Sequence, residues 1–114
     1  IQPMVDFFRQ LKRNGNRVAL FSNINEMATE FIRKKFSFFS DFDATFLSYQ
    51  HGLMKPDAAL YQKVETSLER SGKELFFIDD RPENVKAAIE RNWSGIIHTD
   101  ALQTIDAANT WLTA

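Results

Sequence analysis

Apolar residues along this chain change period several times, from helical spacing to short unbroken runs and back. Met4, Phe8 and Leu11 follow Pro3 at helical spacing, and Asn14-Gly15 closes that pattern. Arg17-Val18-Ala19-Leu20-Phe21-Ser22 is apolar over too short a stretch for a helix and predicts a buried strand. Asn25 can cap a second helix, with Met27, Phe31 and Ile32 expected as its buried stripe. Ala44-Thr45-Phe46-Leu47-Ser48 predicts a second strand, and Gly52 marks the loop after it. Pro56 then opens a helix carrying Leu60, Tyr61, Val64 and Leu68 on one side, stopped at Ser71-Gly72. Glu74-Leu75-Phe76-Phe77-Ile78-Asp79 is the clearest strand. Pro82 starts a helix with Val85, Ala88 and Ile89 inward, Gly95-Ile96-Ile97-His98 predicts a fourth strand, and Leu102, Ile105 and Leu112 mark a closing helix.

Strands that alternate with helices imply βαβ units and a parallel sheet with helices on both faces. The expected class is therefore α/β, a Rossmann-like three-layer sandwich with a mostly parallel sheet, in one domain over 1–114. Composition narrows the function. The net charge of −1 offers no basic face for nucleic acid or anionic lipid. The absence of cysteine excludes a disulfide framework, a thiol nucleophile and a Cys-ligated zinc. No apolar run approaches a membrane span, so the expectation is a cytoplasmic protein without membrane or nucleic-acid partners.

In parallel sheets, ligands bind beyond the carboxyl ends of the strands. Ser22 and Asn23 follow the first strand, Lys55-Pro56-Asp57 lies after the second, and Asp79-Asp80 ends the third. Taken singly, Ser22-Asn23 reads as a strand end and Lys55 as a solvated residue before a proline. Together, a hydroxyl, an ammonium and two acids are expected at one rim, where they can hold a phosphate and a divalent metal. The hydroxyl and backbone N–H groups donate to phosphoryl oxygens, Lys offsets their charge, and carboxylate oxygens take Mg²⁺. Two adjacent acids ending an apolar run would repel each other unless a cation sits between them.

These residues resemble three of the four signature motifs of the haloacid dehalogenase-like (HAD) hydrolase superfamily, in order. Val18-Ala19-Leu20-Phe21-Ser22-Asn23 resembles the second motif, Gly52-Leu53-Met54-Lys55-Pro56-Asp57 the third, and Phe76-Phe77-Ile78-Asp79-Asp80-Arg81-Pro82-Glu83-Asn84-Val85 the fourth in its Asp-Asp form. The resemblance runs from about Pro3 to Leu112. It is greatest to the branch of sugar-phosphate phosphatases and epoxide hydrolase phosphatase domains. It implies a HAD-like core and a Mg²⁺-dependent phosphatase that takes a small phosphorylated metabolite through an aspartyl-phosphate intermediate. Carried over by position, Ser22 and the Asn23 backbone bind the phosphoryl group and Lys55 balances charge. Asp80 is the direct metal ligand, Asp79 acts through water or a further contact, and Asn84 stands where a supporting acid is common.

The family's first motif, Asp-x-Asp-x-Thr/Val, supplies the nucleophile, and nothing before Ser22 resembles it. Asp41-Phe42-Asp43-Ala44-Thr45 matches in letters, yet it lies between the second and third motifs, where relatives carry a Phe-Asp. It is rejected as the catalytic pair. The nucleophile motif is expected upstream of Ile1. The alternative is a non-catalytic HAD-like binding or structural domain that has lost its nucleophile. A response-regulator receiver domain also gathers acids, a hydroxyl and a Lys, but in a different chain order. His51 and His98 have no partner at metal-ligand spacing, Arg81 reads either as a reach to a substrate phosphate or as a solvated residue at a helix start, and Trp93 and Trp111 read as packing residues. Residues 1–114 alone should therefore not hydrolyse p-nitrophenyl phosphate above background in Mg²⁺. Metal-dependent turnover by this segment, lost in Asp80→Ala, would contradict the rejection of the Asp41 pair.

Overall fold

The computed structural model describes residues 2–114. In chain order they form α1 (Gln2–Arg13), β1 (Ala19–Ser22), α2 (Glu26–Lys35), β2 (Ala44–Leu47), α3 (Ser48–His51), α4 (Ala58–Leu68), β3 (Phe76–Asp79), α5 (Pro82–Glu90), β4 (Ser94–Ile97) and α6 (Ala101–Leu112). Short 3-10 turns cover Ser37–Asp41 and Gly72–Glu74. The chain divides into two compact units, Ile1–Lys55 and Pro56–Ala114. Both are mixed α/β with parallel strands, the class expected. One feature differs from expectation: among the described residues the strands form two two-stranded sheets, β1-β2 and β3-β4, and not one four-stranded ladder. Each pair is a βαβ unit in which the intervening helix returns the chain to the same end, the condition for parallel pairing.

In the first unit β1 and β2 pair from Ala19↔Ala44 to Ser22↔Leu47. Met4, Val5 and Phe7 of α1 are buried, as are Phe39, Phe46 and Leu47. The expected buried stripe of α2 is corrected. Met27 and Phe31 are 84% and 60% exposed, while Thr29 is fully buried. Position 29 is two residues from both 27 and 31, about 160° around the helix from each, so one side excludes the other. Thr29 tolerates burial because its hydroxyl donates to the Asn25 carbonyl at 2.9 Å. The Asn25 side chain caps α2 as expected, accepting from Ala28 N–H at 2.8 Å.

In the second unit β3 and β4 pair from Phe76↔Ser94 to Asp79↔Ile97. Gly95 faces Phe77, and a Cβ there would stand 2.9 Å from the Phe77 carbonyl oxygen, so the approach needs glycine. Leu60, Tyr61, Val64, Phe77, Val85, Ala88 and Trp93 are buried. The rings of Tyr61, Phe77 and Trp93 pack mutually at centroid distances of 5.3–6.0 Å, in edge or tilted contacts. Val85 and Ala88 of α5 are buried as expected, but Ile89 is exposed and Asn84 is buried on that helix; on α6, Leu102 is exposed while Thr104 and Ala108 are buried. Helix α4 starts at Ala58 with Asp57 as its N-cap, two residues later than Pro56 suggested.

Beside the aromatic cluster, Arg91 donates to Glu65 through Nε at 2.9 Å and Nη2 at 2.7 Å, and the Trp93 indole N–H adds a bond of 2.7 Å. The Arg91 hydrogen bonds hold the Glu65 carboxyl below its ordinary pKa, against the opposing effect of burial. A depressed carboxylate pKa contributes stability above the unfolded value, and that contribution is lost as pH falls through the folded value. Glu65→Gln should therefore lower stability at pH 7 by roughly 1.5–3 kcal/mol, the worth of charged hydrogen bonds. It should also flatten the acid-side loss of stability, read from urea melts at neutral and acid pH. Equal melts of variant and wild type at pH 7 would show that the triad contributes nothing.

Candidate active site

Because β1 and β2 run parallel, their carboxyl ends lie at the same end of the first unit. Ser22 closes β1, and beyond Leu47 the chain makes the single turn of α3. Gly52 caps that turn in the left-handed region at φ +66°, and its N–H donates to the Ser48 carbonyl. The chain thereby turns back so that Lys55 meets Asn23. The Asn23 side chain accepts from the Lys55 N–H at 2.8 Å and donates to the Lys55 carbonyl at 3.1 Å. One residue along, the Ser48 hydroxyl accepts from Ile24 N–H at 2.9 Å and donates to the Ile24 carbonyl at 3.1 Å. The Lys55 ammonium donates to the Phe21 carbonyl at 2.8 Å and stands 5.0 Å from the Phe21 ring centroid. Asn23 and Lys55 are thus joined directly, and the Lys55 ammonium lies beside the peptide that leads into Ser22. Ser48 was missed because it reads as the end of a strand.

In the second unit the two acids differ. Asp79 accepts from the Arg81 N–H at 2.8 Å and from the Asn84 amide at 3.3 and 3.4 Å. Asn84 is buried, and Tyr61 fixes its backbone by donating its hydroxyl to the Asn84 carbonyl at 2.7 Å. Burial and the nearby Asp79 carboxylate raise the Tyr61 phenol well above its ordinary pKa, so it stays a donor. Asp80 is exposed, and no hydrogen bond or ion pair engages its side chain among the described residues. Asn84 presents its amide nitrogen to Asp79, so it acts here as an orienting donor. Among the described residues no group of three or more His, Cys, Asp or Glu is gathered as a metal cage. Mg²⁺ typically takes one or two protein carboxylates and completes its sphere with water and phosphate oxygens. Asp80 and Asp79 fit that smaller donor set.

Asp41 and Asp43 lie elsewhere. Asp43 precedes β2 and is joined to the start of β1: its carboxylate accepts from Val18 N–H, and its N–H donates to the Val18 carbonyl, each at 2.7 Å. Arg9 pairs with Asp41 at 2.6 Å and Lys12 with Asp43 at 3.5 Å. These acids are therefore at the amino ends of the strands, about 13 Å along a four-residue strand from Ser22. His98 bonds Thr104 at 2.7 Å, and Arg81 stands 3.8 Å from Glu83 with both side chains exposed.

A family model described as haloacid dehalogenase-like hydrolase matches residues 2–90. The chain belongs to the haloacid dehalogenase-like hydrolases. Among relatives, it is 34% identical over 101 residues to the sesquiterpene phosphatase astK of Aspergillus oryzae, covering 89% of this chain and 52% of that protein. It is 33% identical over 85 residues to the drimenol cyclase drtB of Aspergillus calidoustus, covering 72% of this chain and 16% of that protein. The HAD-like chain thus spans about half the first relative and much less of the second. A HAD family enzyme from Bacteroides thetaiotaomicron is similar in structure, with TM-score 0.80 and 30% identity over 87% of this chain and 51% of that one. A variant of that enzyme in complex with magnesium and inorganic phosphate gives TM-score 0.77 and 27% identity, over 87% and 53%. No helix among the described residues is long and apolar enough to cross a membrane.

The paired state of Asp41 and Asp43 gives a clear expectation for the HAD-like protein. Asp41→Asn and Asp43→Asn should each lower the melting temperature by a few degrees and leave kcat within a few-fold of wild type. A loss of about 10³-fold in kcat with folding intact would make that pair the catalytic acids.

Proposed function

We propose that the protein bearing this chain is a Mg²⁺-dependent phosphatase that cleaves a small phosphomonoester through an aspartyl-phosphate intermediate, the attacking aspartate lying outside residues 1–114. The observation that carries this reading is the Lys55 ammonium, 2.8 Å from the Phe21 carbonyl and so beside Ser22 at the carboxyl end of β1. In this reading the Ser22 hydroxyl and Asn23 N–H donate to phosphoryl oxygens. Lys55 lies between the phosphoryl group and the anionic nucleophile and offsets the repulsion between them. Asp80 holds the metal directly and Asp79, already engaged by Arg81 and Asn84, acts through water. Bound Mg²⁺ supplies positive charge against the phosphate dianion.

The relative named sesquiterpene phosphatase makes a terpenoid monophosphate the first substrate to try. The exposure of Met54, beside Lys55, and of Met27, in the first turn of α2, supports a substrate with an apolar portion. The residue-level test uses the intact protein. At an effective dielectric near 20, each like-charge contact left by removing Lys55 is worth about 4 kcal/mol before relaxation. Loss of one donor at Ser22 costs about 10²–10³-fold in rate. Lys55→Ala should therefore lower kcat/KM on a sesquiterpenyl monophosphate about tenfold more than Ser22→Ala does, and Lys55→Arg should rescue poorly. Asp80→Asn should raise the Mg²⁺ requirement more than Asp79→Asn. Near-normal turnover in Lys55→Ala would overturn the phosphate site, and no Mg²⁺-dependent turnover by wild type would leave a HAD-like binding or structural domain.

A further inference from the structure

Two side chains outside the roles above tie the loops after β1 and β2 to each other in opposite directions. Asn23, in the first loop, holds both backbone groups of Lys55 in the second, at 2.8 and 3.1 Å. Ser48, in the second loop, holds both backbone groups of Ile24 in the first, at 2.9 and 3.1 Å. Each contact needs a side chain that donates and accepts at once, which a carboxamide and a hydroxyl do. An Asp at 23 would lose the donor and an Ala at 48 would lose both bonds. Ser48 is buried, so its partners cannot be exchanged freely for water. The held residues adjoin the proposed site: Ile24 lies two residues after Ser22, and Lys55 is itself held.

We infer that Asn23 and Ser48 are positioning residues that set where the Lys55 ammonium stands relative to Ser22. Asn23 acts with its side chain on Lys55, a role separate from the phosphate contact assigned to its backbone. A flexible four-carbon stem carries the ammonium, so its mean place depends on where its own backbone is fixed. Its bond to the Phe21 carbonyl and its contact with the Phe21 ring follow from that backbone position. The inference rests on the phosphatase reading for its catalytic consequence, while the placement of the ammonium can be read without turnover.

The experiment is a double-mutant cycle in the intact protein, with kcat and KM on one phosphomonoester for wild type, Asn23→Ala, Ser48→Ala, Lys55→Ala and the two doubles with Lys55→Ala. Each single change at 23 or 48 should lower kcat about tenfold with KM within about twofold, since a displaced group weakens the transition state. Added to Lys55→Ala, the same changes should cost less than about twofold, because their effect passes through Lys55. Equal losses in both backgrounds would overturn the inference. In parallel, the Lys55 ammonium resonance is followed in ¹⁵N-lysine-labelled protein, assigned by its absence in Lys55→Arg. It should move in both Asn23→Ala and Ser48→Ala while the other lysine resonances hold. An unmoved resonance overturns the positioning role whatever the kinetics. Should wild type turn over no phosphomonoester, the phosphatase reading fails, and the resonance alone decides the positioning. The two variants remove separate contacts, so loss of folding in one leaves the other to decide.

Discussion

The first unit depends on fixing two loops that extend past the ends of short strands. The β1-β2 ladder stops at Ser22↔Leu47, so Asn23 and Lys55 lie where regular pairing has ended. Loops are ordinarily the mobile part of a fold. Here side-chain hydrogen bonds from Asn23 and Ser48 continue the linkage, each net bond worth about 1 kcal/mol. The left-handed turn at Gly52 is what allows Lys55 to reach back. Without that turn, the ammonium would have no reason to approach the carbonyl beside Ser22.

The acids near the strand ends differ in how fully their carboxylates are engaged. At the amino ends of β1 and β2, Asp41 and Asp43 are matched by Arg9 and Lys12 and by the Val18 N–H. Those carboxylates have their partners already. At the end of β3, two neighbouring acids divide their tasks. Asp79 accepts donors from the start of α5, a favourable place for a negative group near a helix N-terminus. Asp80 is exposed. A fixed acid next to an open one suits a site whose cation arrives from solution, because only one carboxylate must be desolvated on binding.

Much of this was legible in the sequence, for a physical reason. Phe76-Phe77-Ile78 and Val18-Ala19-Leu20-Phe21 are apolar runs too short for a helix, and both contribute strands, although of these residues only Phe77 is buried; punctuation at Gly52, Pro82 and Asn25 places the helices around them. Ser22 and the acid pair could then be located at strand ends, and Lys55 in the segment that follows β2. The outward face of α2 was not legible. Met27 and Phe31 fit a buried stripe by period, but a threonine with its hydroxyl satisfied inside its own helix took the inward position. Ser48 was also hidden, because its role depends on where the Ile24 backbone arrives, and spacing along the chain carries no such information.

Titration of the intact protein with inorganic phosphate in the presence of Mg²⁺, followed by backbone amide NMR, tests most directly whether Ser22, Asn23 and Lys55 hold a phosphoryl group. Saturable shifts at the amides of Ser22, Asn23, Ile24 and Lys55, with Val18 and Asp43 unmoved, are the predicted result. Absence of saturable shifts there, or the largest shifts at Val18 and Asp43, would contradict it.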